Sequence, residues 1–210
     1  DTVAFELATI LYDQKEYQKA NLYFKQIDTI SPEFEGYEYG YALSLHAEHQ
    51  TEEALRLTQQ GLSKNPFDTR LLLLASQLSY ELHDEQKAED YLLKAKDNAE
   101  DLEEIALRLS NLYLEQERFD EVLKFEEQDI DNVLTKWNIA RAYQALEQTT
   151  AALERYSLLL SDLQENPEFL EQYIYLLREM GEFEKAKHQA EYYLHLVPDD
   201  MEMQELYDSL

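Results

Sequence analysis

The chain has 210 residues, with 18 Lys+Arg against 45 Asp+Glu and a formal net charge of −27, so it lacks the cation excess that nucleic-acid phosphates or an anionic membrane surface attract. The absence of cysteine excludes disulfide scaffolds, thiolate metal sites and cysteine nucleophiles, and four glycines with four prolines are too few for an all-β fold or a Gly-rich phosphate loop. Yet 44% hydrophobic and 12% aromatic content is too much buriable surface for an acidic tail, so the composition reads as soluble, helical and ordered.

Taken from the N-terminus, Leu7, Ala8, Leu11, Tyr17, Ala20, Phe24, Ile27 and Pro32 lay out a helix–turn–helix unit. The spacing from Ala20 to Pro32 returns as Ala54 to Pro66 and as Ala186 to Pro198. The small residue itself recurs as Ala20, Ala54, Ala88, Val122, Ala152 and Ala186, at intervals of 34, 34, 34, 30 and 34. This divides one array over residues 1–210 into repeats 1–34, 35–68, 69–102, 103–132, 133–166 and 167–200, with a helix from near Asp199 continuing through 201–210. Position 8 of each repeat reads Ala8, Ala42, Ser76, Ser110, Ala140 and Ile174, mostly small, which lets paired helices approach closely. Pro32, Pro66, Pro167 and Pro198 sit between helices, and Asp68, Asp101 and Asp199 are candidate N-caps just after such boundaries. The fourth repeat is four residues short, and Glu126 and Asp129 stand where a bulky and a small apolar residue belong. A short helix over 119–128 follows, with a local kink near 129–132; a degenerate repeat explains it better than a functional hinge.

No stretch approaches the roughly 18 apolar residues of a membrane span; the conspicuous run is Leu71-Leu72-Leu73-Leu74-Ala75. Asp1-Thr2 opens directly on an amphipathic pattern without a signal peptide or initiator Met, and Leu210 ends inside a helical pattern, so the chain reads as a piece of a longer one.

A period of 34 residues with these small, bulky and proline positions resembles the tetratricopeptide (TPR) family. The resemblance implies an all-α fold, a right-handed superhelical solenoid of antiparallel helix pairs with about six repeats and a C-terminal helix. Four stretches are similar more narrowly to the C-terminal half of the YpiA-like proteins, cytoplasmic TPR proteins of low-GC Gram-positive bacteria. They are Glu117-Arg118-Phe119-Asp120-Glu121-Val122, Trp137-Asn138-Ile139-Ala140-Arg141-Ala142-Tyr143, Asn166-Pro167-Glu168-Phe169-Leu170-Glu171 and Val197-Pro198-Asp199-Asp200. That likeness implies a bacterial, cytoplasmic protein and transfers no catalytic residue.

Local chemistry adds no enzyme signature. His46 and His49 lie three apart near Glu52 and Glu53, which makes a metal site conceivable, but they belong to no closed four-ligand set. His49 and His83 fall at one repeat position, where Gly181 also falls, and are better read as turn residues in a left-handed or bridge conformation. Carboxylate pairs such as Glu103-Glu104 and Glu126-Glu127 are expected by chance in so acidic a chain, and Asp84, Asp97, Asp129 and Asp131 fit no calcium-loop register. No Gly-x-Ser-x-Gly, Walker or dinucleotide motif is present. The chain is read as a non-enzyme without metal or cofactor.

In the TPR family, repeat positions 2, 5, 9, 12 and 13 line a concave groove. Carried over by resemblance, these positions select the aromatics Phe5, Tyr12, Tyr39, Tyr80, Trp137 and Tyr175 and the arginines Arg70, Arg141 and Arg178. Gln77, Tyr80, Asn111, Trp137, Arg141, Tyr175 and Arg178 are the candidate contacts for an extended or helical peptide. Amides pair with peptide N–H and C=O, arginine grips a carboxylate, and aromatics add rigid contact area. Trp137 reads equally well as a core residue. The chaperone-binding subset of the family uses a basic, asparagine-bearing clamp, whereas Phe5, Thr9 and Tyr39 stand at the corresponding places, which disfavours chaperone C-termini as partners. The leading reading is a protein-interaction scaffold with a protein or peptide partner, no nucleic acid and no membrane insertion. The alternatives are a peptide-sensing regulatory domain with its output elsewhere and, third, the non-catalytic segment of an enzyme.

Overall fold

A computed structural model gives the fold, described for residues 2–28, 36–128 and 130–210. Among these residues all regular structure is helical. The chain separates into an N-terminal unit, Asp1–Ile105, and a C-terminal unit, Ala106–Leu210. The N-terminal unit holds α1 (Thr2–Asp13), α2 (Tyr17–Asp28), α3 (Tyr37–Ala47), α4 (Thr51–Lys64), α5 (Thr69–Glu81) and α6 (Glu85–Lys96). The boundary falls within α7 (Glu103–Glu115). The C-terminal unit continues with α8 (Phe119–Leu123), a 3-10 turn (Lys124–Glu127), α9 (Val133–Ala145), α10 (Thr149–Leu163), α11 (Pro167–Glu179), α12 (Phe183–Leu196) and α13 (Met201–Ser209). Consecutive helices pack as neighbours from α1 to α6 and again from α8 to α13, so that the second helix of one pair packs on the first of the next.

The small residues of the repeat do the work their spacing implies. Ala8, Ala42, Ser76, Ser110 and Ala140, together with Ala20, Ala54, Ala88, Val122, Ala152 and Ala186, are all buried, as is Ile174. Gly61 on α4 allows the closest approach: an added Cβ would sit 2.8 Å from Leu71 Cδ1 and 3.0 Å from Glu38 Cβ. Each helix pair also turns in the same way. Lys15, His49, His83, Glu117, Glu147 and Gly181 all have φ between 56° and 76°. The N–H of the next residue in each case reaches back to the carbonyl five residues earlier, as from Gln50 to Leu45 and from Glu182 to Leu177, at 2.8–3.0 Å. This is the Schellman closure, and the turn expected at His49 and His83 is therefore present. Gly181 alone of the six is a glycine; the other side chains accept a left-handed backbone because the closure satisfies terminal carbonyls of the first helix.

Caps follow the aspartates and asparagines. Asp68 accepts from the N–H of Arg70 and Leu71 at 3.0 and 3.3 Å, and Asp101 accepts from Glu103 N–H at 2.9 Å. Partial burial opposes ionisation of Asp68, but hydrogen bonds from the Arg70 side chain and the Leu71 N–H outweigh it and hold the carboxyl below the usual aspartate range. At the last boundary Asp200, not Asp199, is the cap: it accepts from Met203 N–H at 3.0 Å and from the Tyr193 hydroxyl at 2.8 Å. The α12–α13 connection has the same four residues as α4–α5, so in both the cap falls two residues after the proline, at Asp68 and at Asp200.

The fourth repeat departs as its sequence requires. Its second helix stops after five residues at Leu123 and tightens into the 3-10 turn. With three residues per turn, the position inward after Val122 is Phe125, so Phe125 enters the core against Tyr113 while Glu126 turns outward. The misplaced carboxylate is thereby kept out of the core, where it accepts from Arg155 and the Tyr143 hydroxyl. Pro32 and Asp129, and with Asp129 the centre of the expected kink, lie outside the described residues.

Candidate partner-binding face

The proposed contacts come from the first helix of successive pairs, and each unit presents its own set. In the N-terminal unit, Gln77 on α5 is half-buried and donates to Glu81 Oε1 at 3.2 Å. The same carboxylate takes His46 Nε2 of α3 at 2.8–2.9 Å, while Tyr80 is 43% exposed. Tyr39 lies under the Arg70 guanidinium at 5.6 Å, and Arg70 also pairs with Asp68 at 3.2 Å. The polar groups of this face are thus engaged with one another. His46 is committed to Glu81 and His49 to its turn, and no cluster of three metal-ligating side chains exists among the described residues.

In the C-terminal unit the set is built on the core. Trp137 of α9 is only 6% exposed; its ring meets Phe169 edge to face at 5.8 Å, and its indole N–H donates to Gln172 Oε1 at 3.2 Å. The Tyr156 hydroxyl donates to that same oxygen at 2.8 Å. Burial pushes the Tyr156 phenol up to about 12, so it stays a donor at any ordinary pH. Trp137 therefore supports the face rather than offering contact area of its own. Arg141, one turn along α9, is half-buried with its guanidinium 5.6 Å from the Trp137 ring. Its Nη1 donates to Asn138 Oδ1 at 3.4 Å, and the Asn138 amide donates in turn to Ser110 Oγ at 2.9 Å and Asn111 Oδ1 at 2.7 Å. On α11, Arg178 stands over Tyr175 at 5.1 Å and is exposed.

Among the described residues, neither Arg141 nor Arg178 has a carboxylate within ion-pair distance, although acids outnumber bases by more than two to one. Both guanidiniums rest on aromatic rings, which favours a flat, oriented cation. Asn111, Trp137 and Arg141 thus come together through Asn138, and Tyr175 pairs with Arg178; Gln77 and Tyr80 belong to the other unit. Asn138 and Gln172, which orient this face, were not singled out by the groove register. Both occupy repeat position 6, where Glu6, Gly40, Leu74 and Arg108 stand earlier, and amides in two consecutive repeats at that position were the available signal.

The family model described as YpiA-like, C-terminal tetratricopeptide repeats matches residues 134–200. That span takes in three of the four stretches quoted for the resemblance and leaves out 117–122. No curated protein matches the sequence. Among solved structures, the C-terminal part of a TPR repeat-containing protein from Cytophaga hutchinsonii superimposes with a TM-score of 0.75 at 11% identity, over 91% of this chain and 78% of that one. YrrB, described as a TPR protein with an unusual peptide-binding site, gives 0.65 at 14% identity, over 88% and 97%. The Cut9–Hcn1 hetero-tetramer of the APC/C gives 0.63 at 14% identity over 98% of this chain, which spans 42% of the matched chain. These likenesses show the fold, an all-α solenoid of paired helices.

Proposed function

We propose that this chain, a tetratricopeptide-repeat protein with YpiA-like C-terminal repeats, is a non-catalytic scaffold that holds a segment of a partner protein on the first-helix face of its C-terminal unit. The observation that carries this reading is Arg141: a guanidinium stacked on a buried tryptophan, hydrogen-bonded to a buried asparagine and without a carboxylate partner among the described residues. Its orientation is set before a partner arrives, so little side-chain entropy is lost on binding. The Asn111 side chain beside it is exposed and has donor capacity left for a peptide carbonyl. Tyr175 and Arg178 extend the face along α11, and Gln77 and Tyr80 are a subsidiary pair on the N-terminal unit. The peptide-binding site named for YrrB supports a peptide as ligand, and the resemblance to YpiA-like proteins supports a bacterial cytoplasm as the setting. No helix among the described residues is long and apolar enough to cross a membrane.

The test is capture of partners by the full-length protein, wild type against Arg141→Glu with Asn111→Ala. Loss of the captured protein, with helicity unchanged by circular dichroism, supports the reading; undiminished capture moves the site off this face.

A further inference from the structure

A second surface arises in the C-terminal unit where the fourth repeat is short. In the other pairs the second helix runs 12 to 15 residues, whereas α8 has five and its 3-10 continuation ends at Glu127. Beside that turn opens a cleft of about 480 Å³. Phe125, Ile130, Ile139 and Leu159 form its apolar floor, and Leu158 stands at the rim 77% exposed. Thr135 and Ile139 line it from α9, and two residues along a helix reverse direction by about 200°, so this surface faces away from Trp137 and Arg141.

The charges in the cleft wall are closed on one another. Arg155 Nε donates to Glu126 Oε1 at 2.7 Å with its guanidinium 4.1 Å from the Tyr143 ring, and Lys136 pairs with Asp131 at 2.5 Å. A charged group entering would lose its hydration without gaining a free counter-charge, so the cleft selects an uncharged, apolar group. Its surroundings have the opposite preference. Glu154, Leu158 and Asp162 follow one another at four-residue spacing on one exposed face of α10, and Glu127 is exposed at the end of the 3-10 turn. The acidic rim runs roughly 12 Å along α10, the length of two helical turns. A free small molecule would fill the floor and leave that rim unused.

We propose that this cleft docks a basic amphipathic segment of a partner protein. The segment seats one bulky apolar side chain over Phe125, Ile139 and Leu159 and sets its Lys or Arg residues against Glu127, Glu154 and Asp162. This is a site separate from the Arg141 face, created by the loss of four residues from one repeat.

The probe is a synthetic amphipathic peptide of leucine and lysine, titrated into the full chain at physiological salt and followed by methyl NMR. Saturable binding that shifts the Ile130, Ile139, Leu158 and Leu159 methyls is expected, with Leu158→Lys, which removes the apolar rim and repels the lysines, weakening it by about tenfold or more. Leu22→Lys, at another exposed leucine in the N-terminal unit, should leave it unchanged, and Leu158→Ser should fall between. Absence of those shifts, or equal affinity for a serine–lysine peptide without leucine, overturns the proposal. Saturation of the cleft by free indole with no gain for the peptide assigns it to small molecules and overturns it as well.

Discussion

Phe5, Phe24, Tyr37 and Tyr41 in the N-terminal unit stand at the same repeat positions as Trp137, Tyr156, Phe169 and Tyr173 in the C-terminal unit, and the two clusters send their polar atoms to different places. In both, the rings interlock across the junction between one helix pair and the next, with centroids 5.2–6.5 Å apart. The N-terminal cluster closes on the backbone: the Tyr37 hydroxyl donates to the Phe24 carbonyl at 2.9 Å, and Thr9, where the other unit has Arg141, bonds back to the Phe5 carbonyl at 3.0 Å. The C-terminal cluster instead sends the Tyr156 hydroxyl and the Trp137 indole N–H to Gln172, pairs the Tyr173 hydroxyl with Ser157 and carries Arg141 on its tryptophan. One packing solution thus serves stacking alone in one place and stacking plus a polar face in the other. What separates them is a few side-chain termini at unchanged backbone positions.

The bluntest way to break the comparison is to remove a ring both clusters need. Tyr37→Ala and Phe169→Ala should each lower the unfolding free energy by about 3–5 kcal/mol, measured by chemical denaturation, because each side chain is fully buried. Near-equal losses would confirm that the clusters are structural equivalents; a small loss in either would separate them.

Alkaline titration sharpens the difference in wiring. The Tyr156 phenol is raised to about 12, so the folded state holds that proton more tightly than the unfolded one. Its contribution is fully present below the unfolded value near about 10 and is lost as pH rises from there through about 12. Denaturation curves across that window should fall less steeply for Tyr156→Phe than for the wild type. Parallel curves would mean that its burial is not specific to the folded state.

Smaller effects test what the two units share. Glu147→Gly should stabilise and Gly181→Ala destabilise, each by about 1 kcal/mol, since both residues hold positive φ in the same closure. An effect of the opposite sign at Glu147 would show that its side chain makes a compensating contact. Least of all, Lys124→Ala removes an exposed pair with Glu121 on the shortened helix and should shift stability by no more than about 0.5 kcal/mol.

Much of this was legible in the linear chain. The alanines at positions 8 and 20 mark where helices touch, and the interval of 34 marks each return, because a backbone approach tolerates only small side chains. The short fourth repeat announced itself by length and by Glu126. The site was legible only in outline: groove positions selected Arg141 and Arg178 but gave Trp137 two readings, and they passed over Asn138 and Gln172. Helical periodicity assigns a residue to a face, but the depth of a large ring below that face depends on the neighbouring pair, here Phe169 from the next helix. The cleft by the 3-10 turn was likewise out of reach, since a deletion in sequence does not say whether the gap closes or stays open.

The sequence by itself determined the all-α class, the 34-residue period, the presence of a turn at His49 and His83 and the place where the array falters. These rest on local spacing, and local spacing is written in order along the chain. Tertiary structure alone decided that Phe125 rather than Glu126 turns inward, that Asp200 rather than Asp199 caps the last helix, and that Trp137 lies beneath Arg141 instead of beside it. Each of those choices lies between residues adjacent or one turn apart in sequence, and a residue outside the pair settles it: Tyr113 for Phe125, Tyr193 for Asp200 and Phe169 for Trp137. Their outcome exists only once the helices have packed.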